Sequence, residues 1–279
     1  MKYTGDGVAF SLFGIEVRWY GLIIVSGMML AVYLSQREAE RRGIAEDLVT
    51  DLAIIFLPVG VVGARLWYVI FEWDRYREDL SRILNFREGG LAIQGGIIAA
   101  LIVAFLYCRR KKCYLPRISD IIFPYVAMAQ SIGRWGNFTN NEAFGGPTDL
   151  PWALEIDGVG VHPTFLYESI GTLSIFLFLV WFTRKKLTTD GQVSMLYLIL
   201  YGAVRYFVEG FRTDSLWIGP YRTAQLVALA GALIGLIGLY LLNRQEPLAH
   251  IPGPDPQTSR KVDQGKRRDK SAESKSKEK

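Results

Sequence analysis

Residues 223–243 read TAQLVALAGALIGLIGLYLLN and contain no charged side chain. A helix needs about 20 mostly apolar residues to cross the hydrocarbon core of a bilayer, so this stretch predicts a transmembrane helix. Residues 19–36 and 89–108 are also uncharged and of similar length. Three such segments in one chain favour an integral membrane protein over a soluble one.

Four further segments are mostly apolar but contain isolated charges. Each is weaker evidence by itself, because a buried helix of a soluble protein can be apolar over about 12–14 residues. Seven segments together predict an all-α polytopic membrane protein with seven transmembrane helices. The four segments are residues 52–71 with Arg65, 118–138 with Asp120 and Arg134, 163–183 with Glu168, and 191–211 with Arg205 and Glu209.

The basic residues of the short loops predict the orientation of these helices. Eleven Lys and Arg residues follow the first, third and fifth segments, whereas six follow the second, fourth and sixth. Because cytoplasmic loops carry the excess of basic residues, we expect the N-terminus to lie outside and the C-terminus in the cytoplasm. The loop 139–162, which has no Lys or Arg, is then the main extracytoplasmic loop.

Composition divides the chain into a transmembrane domain, residues 1–244, and a basic cytoplasmic tail, residues 245–279, which we expect to be disordered. Residues 260–279 contain nine basic and four acidic side chains, which accounts for the net charge of +5. The rest of the chain is neutral, so its charge gives no indication of a nucleic acid partner. Cys108 and Cys113 are expected to be reduced thiols, and His162 and His250 are too few for a metal site.

Charged residues inside membrane spans are functional candidates, because an arginine at the bilayer centre costs at least about 2.5–3.5 kcal/mol. Tyr201, Arg205 and Glu209 are spaced i, i+4, i+8 and share one helical face. Arg205 and Glu209 form either a purely structural ion pair or a guanidinium held ready for an anionic ligand. Glu168 is either a similar functional group or an interfacial acid near a helix N-terminus.

Residues 133–146 read GRWGNFTNNEAFGG and are dense in hydrogen-bonding groups. Arg134 and Asn137 are three residues apart and share a helical face, and the glycines allow a close backbone approach. The segment is either a polar helix cap or a pocket for an oxygen-rich anion. A planar guanidinium binds phosphate through two parallel hydrogen bonds, so Arg134 suits the second role.

Together these segments resemble the prolipoprotein diacylglyceryl transferases. The resemblance covers about residues 15–242 and is most specific at GRWGNF, residues 133–138, with Asn140, Glu142 and Gly145. Supporting motifs are RWYGL at 18–22, the glycine-rich stretch 89–96, HP at 162–163 with LYE at 166–168, and YGAVR at 201–205 with Glu209 and Arg212.

The resemblance implies transfer of the diacylglyceryl group of phosphatidylglycerol to the lipobox cysteine of a prolipoprotein, with release of glycerol phosphate. The reaction is implied at the outer leaflet of the bacterial cytoplasmic membrane, among membrane lipids and without a metal or soluble cofactor. The implied catalytic residues are Arg134, Arg205, Gln94, Tyr20, Glu142 and His162. The implied phosphatidylglycerol contacts are Arg134, Asn137, Asn140, Gly145, Tyr201, Arg205 and Glu209.

The chain departs from the family pattern at Gln94, where many members carry a histidine regarded as the catalytic base. Glutamine cannot take up a proton near neutral pH, and a free thiol is only a few per cent ionised there. Three alternatives follow: His162 is the base, Glu142 is the base if it is buried, or arginines and water stabilise the thiolate directly. We favour the third.

A transporter or binding protein for an anionic lipid or solute is the alternative function. Transporters often contain two matching halves with broken helices. The chain shows no internal repeat, and seven spans do not divide into equal halves.

Overall fold

A computed structural model describes residues 5, 7–12, 14–44, 47–85 and 89–244. The predicted seven long helices are present in this part of the chain, and five of them (α1, α2, α3, α5 and α7) are long and apolar enough to cross a membrane. The other two, α4 and α6, carry most of the charged candidates. The predicted tail, residues 245–279, lies outside the described residues. The helices are α1 (Trp19–Arg41), α2 (Leu48–Phe71), α3 (Ile93–Lys111), α4 (Leu115–Thr139), α5 (Thr164–Lys185), α6 (Gln192–Phe211) and α7 (Thr223–Leu242).

Three short β-hairpins stand directly before α1, α5 and α7. They are β1 (Val8–Leu12) with β2 (Ile15–Arg18), β3 (Leu154–Ile156) with β4 (Val159–Val161), and β5 (Trp217–Ile218) with β6 (Tyr221–Arg222). The purely helical prediction omitted them because strands of two to five residues are too short to show an alternating pattern. The Asp157–Gly158 pair could have predicted the second hairpin, because Asp-Gly favours a tight hairpin turn. Both residues have the positive φ that such a turn requires, 49° and 80°.

The third helix begins at Ile93, four residues later than residue 89 where the predicted span starts. Gly89 and Gly90 both have φ of 76°, which is incompatible with a helix. Arg65, only 3% exposed on α2, explains this turn, since its Nη1 donates to the carbonyls of Gly89 at 2.5 Å and Gly90 at 3.0 Å. The charged Arg65 side chain therefore stabilises the segment that connects α2 and α3.

Glycines bring two helix pairs into close contact. A Cβ atom on Gly63 of α2 would lie 2.7 Å from the carbonyl oxygen of Gly95 on α3, so small residues allow these two helices to pack closely. A Cβ atom on Gly235 of α7 would lie 2.7 Å from the carbonyl oxygen of Met195 on α6, whereas Gly231 meets nothing within 4 Å. Gly235 therefore allows α6 and α7 to pack closely.

Helix α4 is central, because it packs against α1, α5 and α6. At its N-terminal end the buried Asp120 accepts hydrogen bonds from the backbone N–H groups of Gly191 at 2.6 Å and Ser194 at 2.8 Å, which caps α6. We call this the capped end of the bundle. At the other end, Gly145 pairs with Arg212 in an isolated β-bridge, which joins the loop after α4 to the residue after α6. We call this second end, with the three hairpins, the hairpin end.

Candidate active site

Glu168 joins two arginines from different helices at the hairpin end. It lies near the start of α5 and is 1% exposed. Arg134 Nη2 donates to its Oε1, and Arg205 Nη1 donates to its Oε2 at 3.0 Å. The predicted pair of Arg205 with Glu209 is also present, with Nη2 to Oε2 at 2.7 Å. We call these four residues, Arg134, Glu168, Arg205 and Glu209, the arginine clasp.

The burial of Glu168 rules out the alternative of an interfacial acid at the start of α5. A carboxylate with 2% side-chain exposure is stable in such a place only when it is paired and hydrogen-bonded. Glu168 is a charged candidate in the sequence but is not among the predicted site residues. The signal available was a lone acid one turn into an otherwise apolar segment.

Polar side chains extend the clasp on both sides. The Tyr201 hydroxyl donates to Glu168 Oε1 at 3.4 Å, so the predicted face of α6 does line the site. Arg134 Nη1 reaches Asn137 Oδ1 at 3.4 Å, and Asn137 Nδ2 donates to Glu142 Oε1 at 2.8 Å. The line of contacts therefore runs from the clasp to the exposed Glu142.

Glu209 is held from more than one direction. In addition to its contact with Arg205, its Oε2 lies 4.0 Å from Arg212 Nε. Arg222, at the end of β6, donates to the Glu209 backbone carbonyl, and its guanidinium lies over the Trp217 ring at 5.2 Å. The third hairpin therefore fixes the backbone of the clasp.

The two arginines remain partly accessible. Their side chains are 23% exposed for Arg134 and 19% for Arg205, whereas both carboxylates of the clasp are 2% exposed. The cationic side of the clasp is therefore the side that a ligand can reach. A guanidinium in such a poorly hydrated place binds an anion more strongly than it would in water.

Gly145 and His162 contact each other at the hairpin end and form one side of the candidate site, which we call the wall. The Gly145 N–H donates to the His162 carbonyl at 2.9 Å, and the His162 N–H donates to the Gly146 carbonyl at 3.0 Å. A Cβ atom on Gly145 would lie 2.7 Å from both His162 Cβ and the Phe211 carbonyl oxygen. Only glycine fits there, because any side chain would separate the loop from α6.

Tyr20 and Asn140 lie near the end of α4, on the side of the first hairpin. A Cβ atom on Gly136 would lie 3.0 Å from Tyr20 Cδ2, so the tyrosine ring packs directly on the signature segment. Asn140 Oδ1 is buried and has no hydrogen-bond partner among the described residues. An unsatisfied buried acceptor costs about 1–3 kcal/mol, so this atom can receive a hydrogen bond from a ligand.

Gln94 lies apart from the clasp residues. It is exposed at the start of α3, a helix that packs mainly on α2 and touches α4 only sparsely. Its exposure excludes a buried hydrogen bond between helices as its role. Within the described residues, no three His, Cys, Asp or Glu side chains form a group that could hold a metal ion.

Comparisons with known proteins give a consistent result. The family model described as prolipoprotein diacylglyceryl transferase matches residues 7–241. Proteins named phosphatidylglycerol–prolipoprotein diacylglyceryl transferase are similar over most of the chain. The protein from Finegoldia magna is 50% identical over 83% of this chain and 94% of its own length. The protein from Clostridioides difficile is 47% identical over 86% of this chain and 96% of its own length. The protein from Gloeobacter violaceus is 42% identical over 86% of this chain and 93% of its own length.

Proposed function

The chain belongs to the prolipoprotein diacylglyceryl transferase family, and we propose that its arginine clasp binds the phosphate of phosphatidylglycerol. The enzyme transfers a diacylglyceryl group from phosphatidylglycerol to a prolipoprotein. The observation that carries the proposal is the convergence of Arg134 and Arg205 on one buried point. A transporter or binding protein, the alternative from sequence, has no observation in its favour.

The transfer requires an anion to leave. The sulfur of the prolipoprotein's lipobox cysteine attacks the diacylglyceryl carbon that carries the phosphate. The carbon–sulfur bond forms, the carbon–oxygen bond breaks, glycerol phosphate departs with the bonding electron pair, and the proton of the thiol passes to water. Arg134 and Arg205 stabilise the charge that develops on the departing phosphate, in a site where water is scarce.

Neighbouring groups suit the glycerol headgroup of the lipid. The Asn140 Oδ1 atom, which is buried and has no partner in the part of the chain that the structure describes, can accept a hydrogen bond from a hydroxyl of the headgroup. Asn137 extends the site towards Glu142. We place Tyr20 and His162 at the edge of the site, where the prolipoprotein peptide approaches. Gly145 allows the loop after α4 to pack directly on His162 and Phe211 and so holds this edge in place.

The proposed location is the bacterial cytoplasmic membrane, with seven transmembrane helices and the hairpin end towards the outer leaflet. Helices α4 and α6 complete the set of seven because their charges are paired within the bundle. The excess of basic residues after α1, α3 and α5 supports this orientation, since those loops lie at the capped end. The chain is a multi-pass membrane protein in either orientation.

The test uses purified enzyme in a bilayer disc that contains phosphatidylglycerol, with a synthetic lipobox peptide. Mass spectrometry should find the peptide heavier by one diacylglyceryl group, joined through a thioether. A peptide with serine in place of the lipobox cysteine is the matched control and should remain unmodified. Absence of the adduct from folded enzyme would refute the proposal.

A further inference from the structure

We propose that Glu168 is an exchangeable counter-ion, which occupies the phosphate position between Arg134 and Arg205 until phosphatidylglycerol displaces it. This inference rests on the proposed role of the two arginines. Glu168, which is not among the predicted site residues, then has a defined role. It positions both guanidinium groups before and after each reaction.

The geometry of Glu168 is that of a bound oxyanion. Its two oxygens contact different arginines, Oε1 with Arg134 and Oε2 with Arg205 at 3.0 Å. A phosphate group also offers several oxygens around one centre and binds guanidinium groups in the same way. The carboxylate and the phosphate therefore compete for the same hydrogen-bond donors.

Charge balance favours exchange over simple addition. The clasp contains two cations, Arg134 and Arg205, and two anions, Glu168 and Glu209, so it is neutral. A phosphodiester added to this set would leave an uncompensated negative charge in a poorly hydrated site, which is costly. If Glu168 leaves as the phosphate enters, the clasp stays neutral.

Glu168 differs from Glu209 in where its partners lie, since both of its arginines are on other helices. Among the described residues, its side chain has one contact besides the arginines, the long hydrogen bond from Tyr201 at 3.4 Å. Glu209 is one helical turn from Arg205 on α6, and Arg222 holds its backbone carbonyl. The carboxylate that can leave is therefore Glu168, and its return after the reaction helps to expel glycerol phosphate.

The experiment measures inhibition by glycerol phosphate, together with KM for phosphatidylglycerol and kcat, for wild-type enzyme and Glu168→Gln in bilayer discs. Glutamine keeps the size of the side chain but removes the competing charge. We expect the inhibition constant and KM to fall about tenfold. In the wild-type enzyme the ligand binds only the small fraction of molecules in which Glu168 has left the arginines, and the variant removes this requirement. Since the carboxylate no longer expels the product, kcat should also fall.

Glu38→Gln is the matched control. Glu38 is 9% exposed and pairs with Arg42 at 3.2 Å, but it lies at the capped end of α1. Its replacement removes one carboxylate from the same bundle and should leave the inhibition constant and KM unchanged. If Glu168→Gln does not accumulate as folded protein, Glu168→Asp replaces it, because a side chain one methylene shorter cannot reach both arginines and should also tighten binding.

The outcomes separate this inference from the proposed function. A rise or no change in the inhibition constant for Glu168→Gln would show that Glu168 only supports the arginines, and the inference would be wrong. If Arg134→Ala in the same assay leaves the inhibition constant unchanged, the arginines do not bind phosphate and the proposed function itself fails. A fall with Glu168→Gln and a rise with Arg134→Ala would support both.

Discussion

His162 Nδ1 lies 3.2 Å from the hydroxyl oxygen of Tyr167. The same hydroxyl accepts a hydrogen bond from Trp152 Nε1 at 3.1 Å, and the His162 ring packs against the Phe211 ring with centroids 4.9 Å apart. The histidine is therefore held in a wall of aromatic side chains, which fits a positioning role beside the clasp.

Replacement of His162 should leave appreciable activity. We favour direct stabilisation of the thiolate by arginines and water, so His162→Ala should change kcat/KM moderately and shift its pH profile little. Glu142 is exposed, so it lacks the burial on which its candidacy as a base depended. Glu142→Gln provides the comparison, and a loss of more than about a thousandfold in either variant, with the fold intact, would identify a general base.

Gln94 should contribute positioning rather than proton transfer. Gln94→Ala should lower kcat/KM for the lipobox peptide by less than about a hundredfold, because an amide cannot serve as a general base. Gln94→His should retain activity, since many proteins of the family carry histidine at this position. Inactive Gln94→Ala enzyme of normal thermal stability would place Gln94 at the reacting atoms instead.

The arginines of the clasp should be indispensable. Arg134→Ala should lower kcat by at least about a hundredfold, as expected when a group that stabilises transition-state charge is removed. Arg134→Lys should recover little, because a point charge does not reproduce the planar fork. Arg205→Ala should be similarly severe and Glu209→Gln milder. Near-normal turnover by membrane-inserted Arg134→Ala would contradict the assignment.

The two ends of the bundle should face opposite sides of the membrane. In an enzyme whose Cys108 and Cys113 are replaced by serine, Asp149→Cys should react with an impermeant maleimide in intact cells. Lys186→Cys should react only after permeabilisation, because the basic loops are expected in the cytoplasm. Both positions are exposed, so each cysteine should be accessible to the reagent from its own side. A reversed labelling pattern would show that the orientation is the opposite of the proposed one.

The pair of Arg212 and Asp214 should make stability depend on pH. Arg212 Nε and Nη2 donate to Asp214 at 2.9 and 2.6 Å and hold the pKa of that carboxyl below its ordinary value. The pair therefore stabilises the fold at pH above about 4, the unperturbed range of aspartate. This stabilisation is lost as the pH falls through the lower folded-state pKa.

The measurement is the Tm of wild-type enzyme and Asp214→Asn between pH 7 and 3. The variant should melt slightly lower at neutral pH, and the difference should vanish in acid. The effect is small because Asp214 is half exposed. Asp149→Asn controls for loss of an exposed carboxylate, and a Tm difference that does not change with pH would contradict the prediction.

Sequence patterns predicted the features that depend on local spacing. Apolar runs gave the seven helices, and the i, i+4 spacing gave the contact of Arg205 with Glu209. The contacts of Glu168 join residues 34 and 37 positions apart, and no local pattern encodes such a distance. Arg65 similarly looked like a membrane charge, but its partners include the carbonyls of Gly89 and Gly90 beyond the end of α2.

The clasp also bears on how the chain is inserted during synthesis. Helices α4 and α6 are the two long helices that are not apolar enough to count as candidate spans by themselves. Their arginines share the carboxylate of Glu168, which belongs to α5. An unpaired arginine is costly in lipid. If α4 and α6 span the membrane as proposed, we expect them to enter the bilayer together with α5, so that their arginines are paired on entry.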